Sequence, residues 1–64
     1  MPSDTLTGDD LRLLRVSRRL TATAVARHYG ASPSRVTNVE STTRPTRKAV
    51  QRYLAALSAA EADR

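Results

Sequence analysis

The sequence predicts an all-α fold, a compact four-helix domain, and three observations predict it. Apolar residues recur at helical spacing, most clearly Val50, Tyr53, Leu54 and Leu57 at i, i+3, i+4 and i+7. Residues that start and stop helices punctuate the chain: Thr7, Thr21, Ser32 and Thr46 stand where stripes begin, and Gly30 where one ends. The chain is 64 residues long, enough for one small core and not for a second. The helices fall at about residues 8–19, 22–29, 33–41 and 47–60.

Residues 1–6 carry Pro, Ser and Asp without an apolar pattern and read as a disordered arm. In the first helix Thr7 is the cap, and Asp10, three residues on, returns a hydrogen bond to the cap amide. Asp9 and Asp10 also suit the positive end of the helix dipole. Leu11, Leu14 and Arg15 share a stripe, and Leu20 closes the base of the core. An arginine on an inward stripe needs a partner. Glu40 is the one acid between Arg12 and Arg52, so an Arg15–Glu40 pair is expected to tie the first helix to the third.

Thr21 caps the second helix, whose inward residues are Val25, Ala26 and Tyr29, and Gly30 supplies the positive φ that stops it. Ser32-Pro33 starts the third helix. There Val36 and Val39 share one face, Ser34, Asn38 and Ser41 fall opposite, and Arg35 and Thr37 lie on the flanks. After Thr42-Thr43-Arg44-Pro45, Thr46 caps the last helix, which completes the core. The domain proper is expected over 7–58, with 59–64 an alanine-rich helical extension that frays at its end.

A chain this small is stabilised by helix packing or by association, because it has no cysteine for a disulfide and one histidine, too few for an ordinary zinc site. No cofactor or metal is implied. No secretory signal and no apolar run of membrane-spanning length is present, so a cytoplasmic location is expected. No paired carboxylates, nucleophile–base pair or phosphate-cradling glycine loop points to an enzyme. The net charge is +5, and from Arg12 to Arg52 there are ten basic residues against Glu40 alone. Such an excess repels itself in the folded state, and a polyanion relieves that cost.

Ala26, Gly30 and Val36 keep the spacing of a small residue, a turn glycine and a branched aliphatic, and the segment 21–41 resembles the DNA-binding helix-turn-helix. From Leu11 to Leu57 the chain resembles the lambda-repressor and Cro-type family of bacterial and phage transcriptional regulators. The resemblance is carried by Leu11, Leu14 and Arg15, Leu20-Thr21 with Val25-Ala26, Gly30-Ala31-Ser32, Val36, Val39 and Glu40, and Arg44-Pro45-Thr46. It implies an Arg15–Glu40 structural pair and double-stranded DNA as partner, in a bacterial or phage-infected cell at the nucleoid. Three departures stand out: Ala22 replaces a glutamine that usually holds a phosphate, Thr42 stands where glycine is common, and the pattern supplies four helices where many members have a fifth.

On this reading the third helix enters the major groove, with Pro33, Ser34, Arg35, Thr37 and Asn38 toward the bases. Asn38 can donate to and accept from adenine, and Arg35 suits guanine or a phosphate. Phosphates are expected at Thr21, Ala22, Thr23 and Ser32, and at Arg44, Arg47 and Lys48. A regulator of this kind most simply represses by occupying an operator. A dimer, joined through Leu57 and the alanine-rich tail or through Leu13 and Val16, would contact two half-sites; RNA polymerase is a further possible partner. The alternative is a protein-binding module of the same fold, meeting an acidic surface on polymerase or another host protein. The small polar face of the third helix favours DNA, since protein hot spots favour aromatic or large apolar anchors.

Overall fold

A computed structural model of the chain describes residues 6–63. Most of the expected arm, residues 1–5, and Arg64 lie outside the described residues. Four helices follow in order: α1 (Gly8–Ser17), α2 (Ala22–Tyr29), α3 (Pro33–Ser41) and α4 (Arg47–Ala62), with no strand among the described residues. Each starts on a local side-chain cap. Thr7 and Asp10 form the reciprocal capping box, Thr21 accepts from the Ala24 amide, Ser32 from Arg35 and Thr46 from Ala49.

One helix end differs from expectation. α1 stops at Ser17 and not near Arg19, because Arg19 takes φ 57° and turns the chain. The Arg19 amide then donates to Val16 O (2.9 Å) and the Leu20 amide to Arg15 O (3.2 Å), which is the Schellman closure with an arginine where glycine is usual. α4 continues to Ala62, and Ala60 is buried in the core, so packing extends beyond residue 58. Leu6, grouped with the arm by its sequence, is partly buried against that core. The αL turn at Gly30 (φ 81°) ends α2 as expected.

The core joins Leu11 and Leu20 to Val25, Ala26 and Tyr29 of α2, Val36 of α3, and Val50, Tyr53, Ala56 and Leu57 of α4. α2 packs most extensively on α4 and next on α3, which sits between α1 and α2. Ala26 is buried, and its small size permits the close approach of the two motif helices. A second close approach lies between α1 and the end of α3. The Gly8 amide donates to Thr42 O at 2.9 Å, and a Cβ at Gly8 would overlap the carbonyls of Glu40 and Thr42.

Candidate nucleic-acid interface

α3 is held from behind by one buried polar cluster. Glu40 is 5 % exposed. Arg15 reaches it through Nε to Oε2 (2.7 Å) and Nη2 to Oε1 (3.1 Å), a bidentate pair, and its Nη1 donates to Leu20 O at 2.9 Å. Tyr53 OH donates to Glu40 Oε2 at 2.5 Å. The Arg15–Glu40 contact expected from sequence is therefore present, with a third member that the sequence hid. Tyr53 reads as one more residue of the α4 stripe; the only hint was a hydroxyl at an inward position.

Burial pushes the Glu40 carboxyl up, but hydrogen bonds from Arg15 and Tyr53, with the charge of Arg15, outweigh it and leave the group below its ordinary value. The hydrogen bond to Glu40 raises Arg15 against its own desolvation. Burial, then the hydrogen bond to Glu40 and its negative charge, hold the Tyr53 phenol well above its ordinary value. At neutral pH the cluster is thus a guanidinium, a carboxylate and a neutral phenol. Every buried side-chain nitrogen and oxygen among the described residues has a partner.

The face of α3 turned away from this cluster is polar and exposed. Pro33, Ser34, Arg35, Thr37 and Asn38 are all exposed, while Val36 is fully buried and Val39 partly so. Thr37 spends its hydroxyl hydrogen on Ser34 O (2.9 Å), which leaves it an acceptor oxygen and a methyl. Ser32 uses its oxygen to accept from the Arg35 amide (3.4 Å) and keeps its hydrogen to donate. Nothing in the helix ladder uses the amide group of the Asn38 side chain.

The expected phosphate-binding residues lie at the starts of helices. Thr21 and Thr23 are exposed and Ala22 is half-buried. Thr21 Oγ1 is occupied by the Ala24 amide (3.1 Å), which leaves the first two amides of α2, on Ala22 and Thr23, without an acceptor in the helix. Arg44, Arg47 and Lys48 are exposed at the loop after α3 and the first turn of α4.

Not every cation of the basic stretch is available in the same way. Arg52 Nε donates to Tyr29 O at 3.0 Å, and its guanidinium lies 4.4 Å from the centre of the Tyr29 ring. Arg52 therefore closes the C-terminal end of α2. Arg18 pairs with Glu61 at 2.9 Å, and His28 Nε2 lies 3.6 Å from Asp63. Leu57, one of the residues expected at a dimer contact, is 3 % exposed and belongs to the core. Leu13 and Val16 stand out on α1 at 64 % and 52 % exposure.

Residues 7–64 match the family model described as "Helix-turn-helix domain", and the chain belongs to that family. The family points to a DNA-binding regulator. No curated protein and no solved structure matches the chain. No helix among the described residues is long and apolar enough to cross a membrane.

Proposed function

We propose that this chain is a sequence-specific regulator of the lambda-repressor and Cro type, which binds double-stranded DNA with α3 in the major groove and represses by occupying an operator. The observation that carries this is the outward face of α3: five exposed residues without a large apolar side chain, on a helix fixed from behind by a buried bidentate ion pair. Asn38 reads adenine, Arg35 reads guanine or grips a phosphate, and Pro33, Ser34 and Thr37 contact edges and methyls. Thr21, the Ala22 and Thr23 amides, Ser32, Arg44, Arg47 and Lys48 hold the backbone. The protein needs no cofactor and no chemical step for this role, and its place is the nucleoid of a bacterial or phage-infected cytoplasm.

A protein contact is favoured by one specific observation, the exposed pair Leu13 and Val16. With Leu57 in the core, α1 is the surface on which a second copy or a polymerase subunit would pack. A dimer would set two α3 helices ~34 Å apart on a pseudo-palindrome. The test is selection from random duplexes at two salt concentrations, followed by sequencing. Two half-sites about ten base pairs apart identify an operator-reading dimer. Retention that falls steeply with salt and enriches no motif would reject sequence reading.

A further inference from the structure

Between α2, the α1–α2 turn and the end of α4 lies an open hollow of about 270 Å³, with the core residues Leu20 and Ala60 in its lining. Its α2 wall is Thr21, Ala24, Arg27 and His28, which share one helix face, and the small Ala24 side chain at the centre of that face leaves the space. Arg19 lines it from the α1–α2 turn and Asp63 from the end of α4. Arg19 and Arg27 are exposed, and neither has an ion pair or side-chain hydrogen bond among the described residues. Asp63 Oδ2 lies 3.6 Å from His28 Nε2.

Arg19 carries a second observation. It stands in the left-handed region at φ 57°, where glycine closes a helix at less strain. There the long cation has no partner for its guanidinium among the described residues, so the side chain is open to a ligand.

We infer that this hollow is a phosphoryl-group site, with the Arg19 and Arg27 guanidinia and the Thr21 hydroxyl as its donors. Two guanidinia give the planar donor forks that phosphate oxygens take, and Thr21 keeps its hydroxyl hydrogen because its oxygen serves only to accept from the Ala24 amide. The nearest source is DNA itself, because Thr21 both lines the hollow and caps the helix whose first amides are read above as phosphate contacts. That source rests on the DNA-binding reading above; a free phosphorylated small molecule would use the same chemistry without it.

The test uses the full chain with two probes, a short random-sequence duplex and inorganic pyrophosphate. Duplex affinity is followed against salt, and pyrophosphate binding by the backbone amide shifts of residues 19–28. With DNA as the source, Arg19→Gly and Arg27→Ala each lower the slope of log affinity against log salt by about 0.9. Arg12→Ala, which removes the same charge from outside the hollow, leaves the slope unchanged. Arg19→Gly relieves the turn, so thermal melts should show it folded and no less stable while it binds more weakly. Asp63→Asn, which removes the acid from the wall, tightens binding.

If a free phosphoryl compound is the occupant, pyrophosphate shifts saturate in the wild type. They vanish in the double variant and in Ala24→Leu, which fills the hollow and keeps both cations, and the duplex slope stays constant. An unchanged slope together with no saturable pyrophosphate shift overturns the inference. So does an equal loss from Arg12→Ala when pyrophosphate gives no shift, since general field strength would then explain it. A wild type that binds no duplex refutes the DNA reading alone, and the pyrophosphate result then decides the hollow.

Discussion

A carboxylate as buried as Glu40 costs several kcal/mol unless its lone pairs are filled, and here a bidentate arginine and a phenol fill them. The arrangement predicts the pH dependence of folding. Glu40 lies below its ordinary value in the folded chain, so its contribution is complete above the ordinary glutamate range and is lost as pH falls through the depressed value. Tyr53 is raised, so its contribution is complete below about 10 and is lost as pH rises through the folded value. Tyr53→Phe removes one hydrogen bond to a charged group and should cost about 1.5–3 kcal/mol at neutral pH by urea unfolding. It should also flatten the alkaline loss and leave most of the acid loss, because Arg15 still holds Glu40. An alkaline limb as steep as in the wild type would show that another group controls it.

Helix ends are where the elements are joined, and two residues there lend themselves to test. Gly8 gives α1 its approach to the end of α3, and Gly8→Ala pushes a methyl into the Glu40 and Thr42 carbonyls. About 1–3 kcal/mol of destabilisation is expected, although alanine is the better helix former, and a neutral or stabilising result would contradict the close approach. Arg52 closes α2 from α4; Arg52→Ala should speed hydrogen exchange in the last turn of α2 and leave α3 unchanged. The caps at Thr7, Thr21, Ser32 and Thr46 were legible in the sequence because each is an interaction with a backbone amide three residues away. Gly8 and Arg52 were not, since their partners at Thr42 and Tyr29 are distant in sequence and neither residue type signals one. The end of α1 lies before the residue 19 that the sequence predicts, for a related reason: an arginine, and not a glycine, makes its left-handed turn.

At the scale of the molecule, a single core shared by all four helices was legible from the apolar stripes, whereas its reach to Ala60 was not, because an alanine-rich end carries no stripe contrast. Arg15 with Glu40 was visible because one acid stood among ten bases; which of those bases are engaged within the fold required the structure. The net charge of +5 remains a cost to the free protein. Raising salt from low to physiological concentration should therefore raise the melting temperature of the free chain by screening that repulsion, while it weakens duplex binding. A melting temperature that falls with salt would mean that surface ion pairs such as Arg18–Glu61 outweigh the repulsion. Whether the outward face of α3 reads bases is decided at Asn38. Wild-type and Asn38→Ala proteins are compared on the selected duplex and on its single-base-pair variants. Discrimination should collapse at one adenine position by about 1–3 kcal/mol and persist elsewhere. Equal loss at every position, or none at any, would contradict base reading by α3.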